Sequence, residues 1–307
     1  MKNLRNKLTS IAGLFFSTML FVSCQKEALV PTTIEDYNAS TTNIAPYSSM
    51  NTTSASTLPA TTTAPAFNLS LNWNNYPNGL YTYQNAVTDF KNVIFWEGQS
   101  RTKIYGSKMY ATLLKNSLAG QGGVIANMDV PDASEYQMTF DMMFDQNFDF
   151  SWGGKVGFGF MIGNGYSGGA NATDGNGASI RLMWNKTTSA GRTFLKPYMY
   201  HKDQPGTWGD DKGKSFPATG SIAKGVWYKV QMYVKSNTGS NSNGHVRILI
   251  NGVTLIDQPM RWTTNDSKRL INKISFETFR GGAETYWQSP TDGYIYFDNL
   301  NVQALAN

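Results

Sequence analysis

From Tyr136 onward the chain alternates apolar and polar residues in short runs bounded by Gly, Asn, Ser and Pro. These runs are Tyr136–Phe144, Lys155–Ile162, Ala178–Trp184, Thr193–His201, Trp227–Val234, His245–Ile250, Lys273–Phe279 and Gly293–Val302. A period of two is the signature of strands with one face in a core. No window of 12 or more residues carries a helical stripe. Many strands without crossover helices predict an all-β, antiparallel sandwich. The 241 residues from Phe67 to Asn307 suit one such domain.

The faces of three runs bear on chemistry, because successive side chains point to opposite sides of a sheet. In Lys155–Ile162, Val156, Phe158, Phe160 and Ile162 form the core set, and Lys155, Gly157, Gly159 and Met161 share the other face. Glycine inside a strand weakens it unless something approaches the backbone closely, so a cation beside a bare floor suggests a site. In Ser179–Trp184, Ile180, Leu182 and Trp184 point inward, with Ser179 and Arg181 opposite. Tyr198 and Tyr200 share a face, while His201 alternates away from Tyr200 and is read as a bystander. Residues Asn185–Arg192 read as the hairpin loop joining these strands. A register pairing Ser179 with Tyr198 would set Arg181 and Tyr200 on the same face.

Composition narrows the chemistry. The formal net charge is +5, but Lys2, Arg5 and Lys7 precede Cys24 with no acid among them, leaving +2 for the rest. That balance argues against a nucleic-acid partner, which needs clustered cations. Cys24 is the only cysteine, and the two histidines, His201 and His245, are far apart, so disulfides, zinc knuckles and HExxH zinc chemistry are disfavoured. No metal and no cofactor are expected.

The first 24 residues carry an address. Residues 1–7 are basic, and Leu8–Val22 is apolar but too short for a bilayer span. The run ends at Phe21-Val22-Ser23-Cys24, which resembles a bacterial lipoprotein signal (1–23) with Cys24 as the lipidated residue. Between Ala39 and Ala66 lie 13 Ser/Thr and 3 Pro with no charge, so segment 24–66 reads as a tether. The expected location is the bacterial cell envelope, lipid-anchored at the outer membrane, or the medium after secretion. Membrane affinity would come from acyl chains on Cys24.

Lys155, Arg181, Ser179, Tyr198 and Tyr200 form a strip of two cations, a hydroxyl and two phenols with no carboxylate. Removing the C5 proton of a uronic acid requires stabilising the charge that develops beside an existing carboxylate, a task that suits a guanidinium. A tyrosine flanked by cations is expected to have a lowered pKa and to act as base, with a second phenol as acid. The reaction class is β-elimination. The alternative is an ordinary solvated sheet face rich in Tyr, Lys and Arg.

Five segments carry a resemblance: Gly153-Gly154-Lys155, Ala178–Trp184, Tyr198–His201, Ile274–Gly282 with Trp287, and Tyr294–Leu300. Together, over roughly Gly120 to Val302, they resemble polysaccharide lyase family 14, the alginate-lyase and glucuronan-lyase-like β-jelly rolls. The resemblance implies a jelly roll whose concave groove binds an acidic polysaccharide and cleaves it by β-elimination. It carries the family's functional positions onto Lys155, Ser179, Arg181, Tyr198 and Tyr200. Lys155 is followed here by Val156-Gly157-Phe158, where the family commonly has Leu-Pro-Gly.

The reading is therefore a monomeric, lipid-anchored lyase acting on alginate, glucuronan or a related polyuronate. Lys155 and Arg181 attend the carboxylate, Tyr198 and Tyr200 supply base and acid, and Ser179 orients substrate. Gln121, in the Gly120–Gly123 loop, is a candidate second carboxylate contact. A non-catalytic glycan-binding lipoprotein on the same fold is the rival, and a glycoside hydrolase is disfavoured because no Glu-x-Asp-x-x-Glu strand exists. The GxGxxG and GxSxG matches at 163–169 are set aside because no helix follows. Asp141, Asp145, Asp149 and Asp298 read as structural.

Overall fold

The computed structural model describes residues 67–188 and 191–306. The signal 1–23, Cys24 and the tether 24–66 lie outside them. Two antiparallel sheets pack face to face as a β-sandwich of jelly-roll type. The outer, nine-stranded sheet runs in the order Val253–Met260, Gly244–Ile250, Trp227–Lys235, Glu135–Phe144, Gly293–Ala306, Lys108–Leu113, Thr102–Tyr105 and Gly79–Leu80, with Asn68–Leu71 also pairing Gly293–Ala306. The inner, seven-stranded sheet runs Thr193–Tyr200, Gly177–Lys186, Gly153–Lys155, Ile271–Arg280, Val124–Ala133 and Val93–Glu97, and Phe158–Gly163 pairs both Gly177–Lys186 and Ile271–Arg280.

Aromatic rings from both sheets close the core. Phe158 and Phe276 of the inner sheet stack at 4.6 Å, and Phe158 meets Phe140 of the outer sheet at 5.4 Å and Phe297 at 5.9 Å. Trp184 is fully buried, with its indole N–H given to the Phe150 carbonyl. Burying such rings contributes about 1.5–3 kcal/mol each. The helices are short: Tyr83–Phe90, where Thr82 and Asn85 form a reciprocal cap, and the single turn Ala119–Gly122.

All eight runs singled out by alternation are strands, and one of them is broken. The run Lys155–Ile162 divides into Gly153–Lys155 and Phe158–Gly163. At the break Gly157 adopts φ +80°, where a Cβ would be strained and would press on the Phe140 ring. Gly157 therefore turns toward the core rather than joining the floor beside Lys155. The break lets Lys155 and Gly159 share the outward face while Val156 and Phe158 both remain buried.

Candidate functional site

The site lies on the face of the inner sheet turned away from the core. Alternation places Lys196, Tyr198 and Tyr200 there from one strand, and Ser179, Arg181 and Met183 from the next. The observed register pairs Ser179 with Tyr200 and Arg181 with Tyr198. This corrects the expected Ser179–Tyr198 pairing by two residues, a shift that keeps every side chain on its face. Met183 pairs with Lys155, and Lys155 pairs in turn with Phe279. The strip anticipated from sequence is thus one cluster across three strands.

Arg181 is 3% exposed and gives Nη1 to Glu277 Oε2 at 2.6 Å. Its stem crosses Gly159, where a Cβ would collide with the Ile180 carbonyl and crowd Arg181 Cγ at 3.3 Å. The bare floor is therefore needed for an arginine to reach across a strand. The guanidinium carbon lies 5.4 Å from the Tyr198 ring centre and 5.3 Å from that of Tyr200. Its Nε and Nη2 are buried and have no hydrogen-bond partner among the described residues. A buried polar group left unpaired costs about 1–3 kcal/mol, more when charged, so the site carries a cation only partly compensated by Glu277.

Lys155 is partly buried, and its Nζ lies 4.2 Å from the centre of the Tyr198 ring. Burial and the like charge of Arg181 lower its pKa to about 8, with Glu277 pulling the other way. Tyr198, the more accessible phenol, has its pKa raised to about 12 by burial and by Tyr200, effects that outweigh the lowering by Arg181. The expectation of a tyrosine poised as a base by flanking cations is thereby corrected: desolvation of the phenolate exceeds the attraction of the cations. The carboxylate-free strip is also corrected, because Glu277 stands within it.

The phenols meet the rings' edges at 5.9 Å, and each accepts a backbone N–H. Tyr198 Oη takes Gly209 N at 3.0 Å, and Tyr200 Oη takes Gly169 N at 2.9 Å. A Cβ on Gly209 would lie 2.7 Å from the Tyr198 ring and 2.9 Å from the Tyr200 ring, so only glycine lets this loop approach. Ser179 is fully buried and donates to the Tyr166 carbonyl at 2.5 Å. Its hydroxyl ties down the 163–169 loop instead of facing the groove. Tyr200 is 1% exposed, which leaves Lys155 and Tyr198 as the groups presented to the groove.

Gln121 is exposed on the Ala119–Gly122 turn and lines an open pocket of about 550 Å³ with Glu97, Ile125, Gly282 and Gln288. Gly281, next in the chain to the pocket's Gly282, has its Cβ position 3.5 Å from Lys155 Nζ. His201 lies elsewhere, buried, with Nε2 3.0 Å from Asp210 and its ring edge on Trp262. Asp141 and Asp298 form ion pairs with Lys229 and Lys108 at 2.8 Å each, and Asp145 and Asp149 cap turns. The 163–169 segment is a loop followed only by the short turn Ala172–Asp174.

Sequence reasoning missed Glu277 and Met183. The signal for Glu277 was present: Ile274, Phe276 and Thr278 alternate into the core, which sends Ser275, Glu277 and Phe279 to the groove face.

The polysaccharide lyase 14 family model matches residues 99–300. Alginate lyase Aly36B is 53% identical over 80% of this chain and 99% of that chain, with a TM-score of 0.76; the structure compared is a mutant with a lysine and a tyrosine changed to alanine, in complex with alginate tetrasaccharide. The marine PL-14 alginate lyase from Aplysia kurodai is 21% identical over 78% of this chain and 99% of that chain, TM-score 0.62, a likeness of fold. Exolysin of Paramecium bursaria Chlorella virus 1 is 30% identical over 197 residues, which are 56% of this chain and 30% of that protein. The chain thus spans under a third of that relative's length.

Proposed function

Because the chain belongs to the polysaccharide lyase 14 family, we propose that it cleaves alginate by β-elimination, with Lys155 moving the proton. The observation that carries this reading is the Lys155 amine standing in the groove 4.2 Å from the Tyr198 ring beside the buried Arg181, where burial lowers its pKa to about 8. Alginate is favoured over other polyuronates by the 53% identity to a lyase whose structure holds an alginate tetrasaccharide.

The carboxylate of the uronate at the cleavage point meets Lys155 and Tyr198 in the groove, with the buried Arg181 cation behind the Tyr198 ring. That nearby positive charge would stabilise the charge that develops as C5 loses its proton. Neutral Lys155 takes that proton, the C5–H electron pair becomes the C4=C5 bond, and the C4–O bond breaks. The ammonium so formed, of pKa about 8, is a far stronger acid than Tyr198, of pKa about 12, so it returns the proton to the leaving glycosidic oxygen. Tyr198 keeps its proton, accepts from Gly209, and can turn its hydroxyl from Tyr200 to donate a hydrogen bond to substrate. Tyr200 and Ser179 hold the walls of the groove through the 163–169 loop, and Gln121 offers an amide to a sugar farther along.

A hydrolase would need two free carboxylates flanking the bond; Glu277 is engaged by Arg181. The non-catalytic rival is disfavoured because Lys155 stands in the groove against Tyr198 with Val156-Gly157-Phe158 following it. Incubation with alginate and glucuronan separates these readings. A lyase generates the ultraviolet absorbance of an unsaturated uronate, a hydrolase generates reducing ends without it, and a binding protein generates neither.

The sequence further supports lipidation at Cys24 after removal of 1–23, with 24–66 holding the domain off a bacterial membrane or cell surface. Incorporation of labelled fatty acid, abolished by Cys24→Ala, tests this. A monomer is the proposed working unit; light scattering reads the mass directly.

A further inference from the structure

We propose that Glu277 is a positioning residue that holds Arg181 against Tyr198 and Tyr200 and keeps Lys155 within reach of protonation. The inference rests on the lyase reading above, and it starts from geometry. Glu277 is 4% exposed and lies 2.6 Å from Arg181 Nη1 on the strand beyond the glycine floor. A buried guanidinium with a single carboxylate contact has one corner fixed. Gly159 leaves the space for that reach, and Glu277 N donates to the Gly157 carbonyl at 3.0 Å, so the strand break and the carboxylate are set together. Fixing Nη1 holds the guanidinium against the Tyr198 and Tyr200 rings, with Nε and Nη2 buried and unpaired among the described residues.

The charges around Lys155 give the second half. Arg181 repels it from Gly177–Lys186, Glu277 attracts it from Ile271–Arg280, and Tyr198 offers its ring from Thr193–Tyr200. Lys196, one place beyond Met183 on the same row, is tied to Asp211 at 2.7 Å. Without the Glu277 charge two cations would share a partly dry site with no counter-ion. Lys155 would then lose its proton more readily and become a weaker base for abstracting the C5 proton. The carboxylate touches no reacting atom; it acts through Arg181 and Lys155.

The test uses the full chain with Glu277→Gln, which keeps shape and removes charge, and follows the Lys155 amine by NMR titration without substrate. A midpoint at least half a pH unit below wild type, with a matching downward shift of the acid limb of kcat/KM on alginate, supports the proposal. An unchanged or higher midpoint overturns it. Glu277→Asp keeps the charge and shortens the reach, and serves if the first variant does not fold. It should hold the Lys155 midpoint while lowering kcat at least tenfold, and full kcat would overturn the positioning role. The amine titration does not depend on turnover, so a wild type inactive on every polyuronate would sink the lyase reading by a separate result.

Discussion

Lys155 Nζ sits 4.2 Å from the ring centre of Tyr198, against a π face instead of a carboxylate. A cation–π contact contributes about 0.5–2 kcal/mol, less than burial beside Arg181 takes away, and so the amine titrates near 8 rather than near 10.5. If neutral Lys155 is the base, kcat/KM on alginate rises with pH through about 8 and levels above it. Bound uronate carboxylates favour the ammonium, so the corresponding limb of kcat lies at higher pH. Initial rates at low and at saturating alginate read both limbs, and a flat profile from pH 6 to 10 would remove Lys155 from the base role.

The same depressed pKa has a consequence for stability. The folded state disfavours charged Lys155. At pH 7 the amine is protonated in both folded and unfolded chains, so the penalty is fully present; it fades as pH rises through about 8 toward 10.5. Lys155→Met should therefore melt at a higher temperature than wild type at pH 7 while losing activity. Scanning calorimetry at pH 7 and pH 10 checks this, the gap narrowing at the higher pH.

The two phenols should separate on mutation. Tyr198 faces the groove, whereas Tyr200 is 1% exposed with its oxygen given to the 163–169 loop through Gly169 N. Tyr198→Phe is expected to cut kcat/KM about 10²-fold or more, in the range for losing a hydrogen-bond donor to the charge developing on substrate. Tyr200→Phe should cut it about tenfold and leave Gly169 N without its acceptor, at about 1–3 kcal/mol in stability. Steady-state kinetics with urea melts on both variants decides, and equal losses would contradict the division.

Gly159→Ala tests the glycine floor. A methyl there meets the Ile180 carbonyl and the Arg181 stem, so the expected result is a stability loss of about 1–3 kcal/mol and a larger loss of turnover than of folding, since Arg181 must shift. Thermal melts beside alginate assays check it; an active, unaltered variant would mean the arginine does not depend on the bare strand.

Much of this was legible in the sequence. Period two located Gly177–Lys186 and Thr193–Tyr200 within two residues at each end, because one face of each strand is buried and the alternation is steep. The face shared by Lys155, Arg181, Tyr198 and Tyr200 followed from the same parity. Register did not follow, since a two-residue slip moves no side chain to the other face and leaves the pattern unaltered. Nor did the strand break at Gly157, where a positive φ reverses one Cβ direction within an otherwise regular run. The phenol's protonation was misread because charge neighbours are visible in a sequence while desolvation depends on packing. Glu277 escaped notice because its partner, Arg181, is 96 residues away. Val93–Glu97 is a short edge strand whose exposed positions include the apolar Ile94 and Phe95, which blurs alternation, and Thr102–Tyr105 is only four residues long.

The claim on which the account turns is that one amine moves the proton, and Lys155→Ala with alginate tests it most directly. Unsaturated uronate is followed by its ultraviolet absorbance, and tetrasaccharide binding by calorimetry on the same sample. The account predicts that wild type forms the chromophore, while the variant still binds the sugar but turns over about 10²–10⁴-fold more slowly. A variant that binds and cleaves at the wild-type rate would contradict it.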